Sequence, residues 1–289
     1  MKSNTTRSIT FIGAGRLATS LGRLWHQGHV LTIGDVLGQS RAASLRAVAA
    51  IGAGRAVDDF ADLRPADLFL IATPDRAVIS ATNELLGSGV VDSNSIVFHC
   101  SGAESSRLLD AARSRGAAVA SAHPLTSFSG RPLSAKEFAG VFCAIEGDPA
   151  AAAALAGIFS AIGARIINVT AEQKFLYHAA AVFGSNYLVT LLQVALDGFA
   201  LAGIESTIGL AMLEPLVRQT VDNVFLREPR AALTGPIARG DLELVRRQYR
   251  SLEEANPSIA EIYRILGRRT AQLAGSVDPF AQDSSSGGR

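Results

Sequence analysis

The chain has 289 residues, of which 48% are hydrophobic and only 18% are charged. A disordered chain has the opposite balance, so these residues can form a core, and the length suits two modest domains or one large one. Lys and Arg number 27 against 26 Asp and Glu, which gives a formal net charge of +1. Nucleic acid and anionic membranes both require a basic surface, so neither is an expected partner.

The two cysteines, Cys100 and Cys143, are too few for a disulfide framework and lack the spacing of metal ligands. We therefore expect no metal site and a reducing, cytoplasmic location. The N-terminus is polar and enters a Gly-rich turn, which is not typical of a signal peptide. The longest apolar stretch, 175–204, contains His178, Asn186 and other polar residues that a transmembrane helix rarely carries. We expect a soluble protein.

Short apolar runs alternate with helical patterns in the first half of the chain. Residues 8–13 predict a first strand, and a helix with one apolar face follows and ends at Gly28. Strands are then predicted at 29–37, near 56, and at 67–73, 95–100, 118–122, 140–145 and 165–169. These runs lack regular alternation, as expected for strands buried on both faces of a parallel sheet. The succession predicts an α/β Rossmann domain with a doubly wound, mostly parallel sheet.

The pattern changes near Thr170, after which only helices are predicted, up to residue 274. Two long helices are predicted to open with capping boxes, Thr170-x-x-Gln173 and Ser258-x-x-Glu261. We therefore predict a dinucleotide-binding domain over 1–169, followed by an all-α C-terminal domain for substrate binding and dimerisation over 170–275. Residues 276–289 are polar and rich in Gly and Ser, so we expect a disordered tail.

A glycine-rich loop follows the first predicted strand and opens the first helix. In the pattern Gly13-x-Gly15-x-x-Ala18, the first Gly permits a tight turn and the second permits backbone to approach a pyrophosphate. Ala18 permits close packing of helix on strand. The alternative is a tight turn with no ligand. The predicted cofactor-binding residues of this loop are Gly13, Ala14, Gly15, Arg16, Leu17 and Ala18.

The end of the second strand selects between NAD and NADP, since an acid there binds the ribose 2′-hydroxyl and an Arg binds a 2′-phosphate. We place Asp35 inside the strand, before its end. The following loop contains Ser40 and Arg41 and no acid. These two residues favour NADP, with NAD as the second choice. The alternative for Arg41 is a plain solvated charge.

Three more loops follow buried strands and are therefore expected at the ligand-binding edge of the sheet. The first is predicted to line the cofactor with Thr73 and Pro74. The other two are predicted to reach the nicotinamide or the substrate with His99, Ser101, Gly102, His123 and Ser127. His99 has an equal alternative as a hydrogen-bonded core histidine. The cysteines are expected to be small buried hydrophobic residues.

A narrow polar stripe runs along the first helix of the predicted second domain. Lys174, His178 and Ser185 share one face of an otherwise apolar helix. A Lys in a partly apolar cleft can have a lowered pKa and donate a proton. We predict Lys174 and His178 as catalytic residues, with Lys174 the more important for turnover. The alternative for Lys174 is an exposed residue of the first turn.

The predicted substrate-binding residues of the helical domain are Ser185, Asn186 and Arg239. Arg239 lies in the segment LTGPIARGD, where a guanidinium close to two glycines can bind a carboxylate. The alternative is a purely structural Gly-Pro turn. The segment 188–216 is apolar on more than one face, which predicts a homodimer formed through the helical domain.

Several segments together carry a resemblance to a known family: FIGAGRLATSLG, ATPDRAV, FHCSGAESSRLL, AHPLTSF, KFLYHAAAVFGSNY and LTGPIARGD. They resemble a bacterial Rossmann-like family, often labelled NADP oxidoreductase-like, whose C-terminal helical domain has no assigned function. The family is similar in architecture to the pyrroline-5-carboxylate reductases and to the 3-hydroxyisobutyrate and 6-phosphogluconate dehydrogenases. Some members resemble PanG-type ketopantoate reductases.

The resemblance implies an NAD(P)H-dependent oxidoreductase that reduces a small 2-oxo, 3-oxo or imino carboxylic acid, with ketopantoate or a pyrroline-carboxylate-like compound as candidates. The Lys-x-x-x-Asn pair that does acid–base work in the hydroxyacid dehydrogenases corresponds here to Lys174 and His178, with His in place of Asn. The alternative is a non-catalytic dinucleotide-binding protein with a redox-sensing or regulatory role, because the fold alone does not separate the two functions.

Overall fold

The computed structural model describes residues 6–281. Its strands are β1 (Ser8–Ile12), β2 (Thr32–Leu37), β3 (Arg55–Val57), β4 (Leu68–Ile71), β5 (Ile96–His99), β6 (Ala118–Pro124), β7 (Phe142–Gly147) and β8 (Arg165–Asn168). Its α-helices are α1 (Arg16–Gln27), α2 (Arg41–Ile51), α3 (Val78–Gly87), α4 (Asp110–Arg113), α5 (Ala135–Phe138), α6 (Pro149–Ala161), α7 (Lys174–Gly184), α8 (Asn186–Leu201), α9 (Ser206–Ala232), α10 (Pro236–Arg239), α11 (Leu242–Ala255) and α12 (Pro257–Ala274).

All eight strands form one sheet in the order β3-β2-β1-β4-β5-β6-β7-β8. Each neighbouring pair is parallel except β6 and β7, which are antiparallel. The chain runs outward from β1 to β3 and then returns to β4 on the other side of β1. The strand order therefore reverses between β1 and β4, which is where doubly wound sheets bind their ligands.

Helices cover both faces of the sheet, and this explains the lack of alternation in the strands. Leu68 and Leu70 of β4 pack in one core cluster with residues of α1, α2 and α6. The intervening Phe69 and Ile71 pack in a second cluster with residues of α3 and α4. Because both faces are buried, each position of such a strand is apolar. The predicted α/β Rossmann class with a doubly wound, mostly parallel sheet is confirmed.

Two strand boundaries differ from the prediction for local reasons. The second strand begins at Thr32 rather than residue 29, because His29 has a left-handed φ of 53° directly after the helix-ending Gly28. Strand β6 extends through His123 and Pro124, which were expected in the loop beyond it, because β7 pairs with it as far as Cys143. His123 is therefore held by the sheet, whereas Ser127 lies in the loop that follows.

The chain divides into two compact units, one ending at Phe183 and the other beginning at Gly184. The predicted boundary near Thr170 differs from this division, because the first turns of α7 are anchored in the first unit by the buried Lys174. Between Thr170 and Ala274 the described chain is helical, as predicted. The long helix α9 is kinked at Glu228, whose φ is 66°, immediately before Pro229.

One of the two predicted capping boxes is present. Thr170 and Gln173 form the reciprocal pair ahead of α7. The second is wrong, because Asn256 caps α12 instead, accepting hydrogen bonds from the backbone of Ser258 and Ile259, with Pro257 in the first helical position. An Asn directly before Pro places the cap two residues earlier than predicted.

The first part of the predicted tail is packed against the second unit. The ring of Phe280 lies edge-on to Tyr249 at 5.3 Å and against Gly267, where a Cβ would come within 2.7 Å of it. The side chain of Arg246 donates to the carbonyl oxygen of Pro279. A disordered tail is therefore wrong for residues 276–281, and 282–289 lie outside the described residues.

The helical stretch 171–201 is long and apolar enough to cross a membrane by length and composition alone. It is not a continuous α-helix, because the backbone leaves helical geometry at Ser185. It also contains the buried side chain of Lys174.

Candidate functional site

The glycine loop lies at the reversal of strand order and is shaped by two glycines in different ways. Gly13 has a φ of +117°, and a Cβ there would lie 2.4 Å from the carbonyl oxygen of Ala72. Gly15 precedes α1, and a Cβ there would meet no atom of the described chain within 4 Å. Gly13 thus permits the loop to pack closely against the backbone of Ala72, while Gly15 leaves open space over the start of α1. This is the shape that a pyrophosphate requires.

The remaining loop residues fit the same arrangement. Ala18 is fully buried, which permits the close approach of α1 to the sheet. Arg16 is the first residue of α1 and is exposed, and Leu17 packs partly against the core. Ala14 faces the loop after β2, where a Cβ on Gly38 would come within 2.9 Å of the Cβ of Ala14. The loops after β1 and β2 are therefore in contact.

Asp35 lies inside β2 and is 1% exposed, as predicted. Its carboxylate accepts hydrogen bonds from the guanidinium groups of Arg55 at 2.8 Å and Arg64 at 2.7 Å. Burial by itself would raise the pKa of Asp35, but these hydrogen bonds bring it down to about 2. Asp35 is thus committed to two arginines and is not the acid that would bind a ribose.

The loop after β2 presents Ser40 and Arg41. The Ser40 hydroxyl caps α2 by accepting from the backbone N–H of Ala43. Arg41 forms an ion pair with Asp58 at 3.1 Å and also donates to the carbonyl oxygen of Ala56. Arg41 is 58% exposed and its guanidinium bridges the start of α2 and the end of β3, so both cofactor binding and a solvated charge stay open as alternatives.

Beyond β4, the predicted cofactor residues Thr73 and Pro74 lead into a turn that begins at Asp75. The Oγ1 of Thr73 is buried and finds no hydrogen-bond partner among the described residues. A buried hydroxyl without a partner is costly, which is consistent with a position that a ligand completes. Asp75 accepts a hydrogen bond from Ser101 at 2.9 Å, which ties the loop after β4 to the loop after β5.

His99 is 1% exposed, and both of its ring nitrogens have backbone partners. Its Nε2 lies 3.0 Å from the carbonyl oxygen of Ser105, and its Nδ1 accepts from the N–H of Ser101. Burial lowers the pKa of His99 to about 4, so the ring is neutral at pH 7. This geometry favours the alternative of a hydrogen-bonded core histidine that shapes the loop.

Lys174 is 1% exposed, which is incompatible with the alternative of an exposed first-turn residue. Its ammonium donates to the carbonyl oxygen of Ser101 at 2.7 Å and to the hydroxyl of Ser121. Burial lowers its pKa below the usual range for lysine, while the nearby carboxylate of Glu146 acts in the opposite direction. The amine is thus enclosed between β5 and β6 and holds the Ser101 loop in place.

His178, one helical turn after Lys174, lies with His123 and Tyr177 around Gly102. A Cβ on Gly102 would be 2.3 Å from Nδ1 of His178 and 2.9 Å from Nε2 of His123. The two imidazole rings are edge-to-face at 5.7 Å, and Nδ1 of His123 lies 3.1 Å from the Tyr177 hydroxyl. Only a glycine at position 102 permits both rings to approach this closely.

Burial shifts the pKa of two side chains of this cluster and leaves a ring nitrogen of the third without a hydrogen-bond partner among the described residues. Burial lowers the pKa of His123 to about 4 and raises the pKa of Tyr177 to about 12, so both are neutral at pH 7. The Nδ1 of His178 is buried and has no hydrogen-bond partner within residues 6–281. A buried imidazole nitrogen without a partner is costly, so this position is consistent with one that a ligand completes.

The other predicted substrate residues are not gathered into this cluster. Ser127 is exposed in the loop after β6. Ser185, Asn186 and Arg239 belong to the second unit, where all three are exposed and Arg239 ends the short helix α10. Their predicted contacts with a substrate remain predictions.

Two family models match consecutive parts of the chain. Residues 2–124 match a Rossmann-like domain, and residues 141–270 match a domain of unknown function, DUF2520. The chain is a Rossmann-like domain followed by a DUF2520 domain. The DUF2520 match starts at Val141, next to β7, so this family domain includes β7, β8 and α7 as well as later helices. These two matches confirm the family that the sequence resemblance implies.

Several solved structures resemble the chain over nearly its full length. A Bacteroides fragilis protein provisionally described as an NADP oxidoreductase is 25% identical, with a TM-score of 0.73 over 92% of this chain and 98% of that one. A Thermotoga maritima protein is 24% identical, with a TM-score of 0.69 over 91% and 98%. An imine reductase from Myxococcus stipitatus, solved with NADP+, is 18% identical, with a TM-score of 0.63 over 94% and 96%. No curated protein sequence matches this chain.

Sequence reasoning missed three residues of the Rossmann-like–DUF2520 chain that the structure brings to the candidate site. Tyr177 was treated as an apolar neighbour on α7, Ser121 as strand interior, and Asp58 was not considered. The spacing of Tyr177, three residues after Lys174 and adjacent to His178, was a usable signal. Nothing in the spacing connects Ser121 to Lys174, 53 residues away, since only the sheet register brings them together.

Proposed function

We propose that this protein is an NAD(P)H-dependent oxidoreductase that reduces a small 2-oxo, 3-oxo or imino carboxylic acid. The observation that carries the proposal is the combination of the open glycine loop and the cluster around Gly102. The loop suits a dinucleotide pyrophosphate. The cluster lies at the ends of β5 and β6, on the same edge of the sheet, where a group with exchangeable protons is needed beside a nicotinamide.

The bound nicotinamide would supply the hydride. The chain's own residues would bind the cofactor, position the substrate and supply the proton. Thr73 and the backbone of the glycine loop would hold the cofactor. His178 would hold a proton at Nδ1, the nitrogen that has no partner within the described chain. His123 and Tyr177 would orient that ring and shield it. Lys174 would fix the Ser101 loop through its hydrogen bond to the Ser101 carbonyl oxygen.

The substrate class is supported by the names of structural relatives that differ in sequence. They include a pyrroline carboxylate reductase from Plasmodium falciparum with NADP bound and the imine reductase mentioned above. Both names describe reduction of a C=N bond, which makes cyclic imino acids the first compounds to test. Ketopantoate is the oxo acid that the sequence resemblance suggests.

We also propose that the protein works as a homodimer formed through the helical unit. Helix α9 exposes Phe225 and Leu226 by 86% and 78%, and helix α8 exposes Val189 by 69%. Exposed apolar surface on this scale is typical of an interface between chains. A second copy is the occupant that the apolar character of α8 favours, since Asp197 is the one charged residue of that helix.

The test of the proposed function is binding first and turnover second. The melting temperature of the intact protein should rise when NADPH or NADH is added. One member of a panel of oxo acids and cyclic imines should then cause oxidation of NADPH, followed by absorbance at 340 nm. Gly15→Val should abolish binding without destabilising the fold, because its side chain enters the open space over α1. Gly13→Val is the matched control, since it should unfold the first unit through its left-handed φ and its contact with Ala72. Unchanged affinity of Gly15→Val for both dinucleotides would place the cofactor elsewhere.

A further inference from the structure

The ion pair between Arg41 and Asp58 joins the start of α2 to the chain just beyond β3. The Nη1 of Arg41 donates to Oδ2 of Asp58 at 3.1 Å and to the carbonyl oxygen of Ala56 at 3.3 Å. The two side chains are 58% and 51% exposed. The Arg41 guanidinium thus has two acceptors, Asp58 and Ala56, and is still accessible to a dissolved ligand.

The position of this pair follows from the register of β2 and β3. Leu37 pairs with Val57, so Gly38 and Asp58 are the next residues at the ends of the two strands. Gly38 contacts the glycine loop through Ala14. In a Rossmann sheet, the adenosine ribose of a dinucleotide lies at the end of the second strand, where an acid selects NAD and an Arg selects NADP. Here the Arg follows β2, and the acid arrives from the neighbouring strand.

Two serine hydroxyls at this loop already have hydrogen-bond partners. The Ser40 hydroxyl accepts from the N–H of Ala43 as the helix cap. The Ser44 hydroxyl is buried, donates to the carbonyl oxygen of Val57 and accepts from the N–H of Gly38. Arg41 is the cationic side chain of the loop 38–41, so a phosphate bound there would pair with its guanidinium and change its contact with Asp58.

We propose that Asp58 sets the cofactor selectivity of this protein by competing with the NADP(H) 2′-phosphate for Arg41. The 2′-phosphate must displace a carboxylate from the guanidinium and approach a like charge, whereas NAD(H) leaves the ion pair intact. The inference rests on the proposed function, since it requires a dinucleotide at the glycine loop. It predicts that the preference of the wild-type protein for NADPH over NADH is smaller than the preference that Arg41 would give without Asp58 beside it.

The experiment measures dissociation constants of NADPH and NADH for the intact protein by calorimetry, with no need for a substrate. Asp58→Asn should tighten NADPH binding by about two- to fivefold, the range that an exposed ion pair represents. It should leave NADH binding within about twofold. Arg41→Ala should weaken NADPH binding by about tenfold and affect NADH little. The gain from Asp58→Asn should shrink at high salt, because screening weakens exposed charges.

The matched control is Glu84→Gln, which removes one exposed negative charge from α3, a helix on the other face of the sheet. It should leave both constants unchanged. A ratio of NADPH to NADH affinity that is the same in Asp58→Asn and wild type would overturn the inference while leaving the proposed function intact. Failure of wild type to bind either dinucleotide would overturn both. Equal melting temperatures of the variants would establish that the changes in affinity do not arise from unfolding.

Discussion

Two substitutions on helix α7 should have different effects. Replacement of Lys174 by Met should mainly lower stability, and replacement of His178 by Phe should mainly lower turnover. Lys174→Met removes the donor to the Ser101 carbonyl and the Ser121 hydroxyl, two acceptors enclosed with it. A buried acceptor left unpaired costs about 1–3 kcal/mol, so we expect a loss of about 2–4 kcal/mol. In a unit of this size that corresponds to a fall in melting temperature of about 5–15 °C.

His178→Phe should have the opposite profile. The phenyl ring keeps the shape that packs on Gly102 and removes an imidazole nitrogen that has no partner in the described chain. We therefore expect unchanged or slightly higher stability. Loss of a proton donor lowers kcat and kcat/KM together by about 10²–10⁴-fold. Lys174→Met should lower kcat by less than about tenfold, which reverses the order expected from the sequence.

The pH dependence of stability gives a second readout for Lys174. Because burial lowers its pKa in the folded state, the unfolded chain binds more protons between the folded pKa and the usual value of 10.5. The contribution of Lys174 to stability should therefore grow as pH rises toward 10.5, and the difference in melting temperature between wild type and Lys174→Met should widen. If Lys174→Met melts like wild type and loses 10²-fold or more in kcat, the amine is the proton donor and the assignment to His178 is wrong.

Two further predictions concern acid and assembly. Burial holds the pKa of both His99 and His123 near 4, so below about pH 6.5 the unfolded chain binds more protons than the folded one. Stability should therefore fall as pH decreases from about 6.5 to 4. The loss should be smaller in His123→Gln when the melting temperature is measured across that range. Phe225→Asp combined with Leu226→Asp should convert a dimer to a monomer in sedimentation velocity, since both side chains are exposed and apolar; a wild-type protein that sediments as a monomer at micromolar concentration would refute the interface.

The architecture of the sheet was predictable from the sequence because it depends on local signals. Uninterrupted apolar runs such as 68–71 identify strands buried on both faces, and the turn requirements of Gly13 and Gly15 identify the ligand-binding loop. The position of Asp35 within β2 also followed from counting residues to the strand end. Each of these inferences uses only neighbours in sequence.

The chemistry of the site was less predictable. It depends on how the strands pair with one another and on how deeply each side chain is buried. A helical stripe correctly groups Lys174 with His178, but it does not show that one side chain is enclosed and the other faces Gly102. The contact of Lys174 with Ser121 requires the pairing of β5 with β6 and the docking of α7 on that pair. The same limit applies to Asp58, which reaches Arg41 through the pairing of β2 with β3.

The three imidazoles near the ends of β5 and β6 divide into two kinds once their partners are known. His99 has backbone partners on both nitrogens, and His123 has Tyr177 on Nδ1. Both have a pKa near 4, so neither carries an imidazolium proton at pH 7. The positive charge of Lys174 contributes to both shifts, after burial. Burial, assisted by the charge of Lys174, keeps these two histidines neutral, and Nδ1 of His178 is the ring nitrogen of the cluster that has no hydrogen-bond partner within the described residues and is open to a substrate.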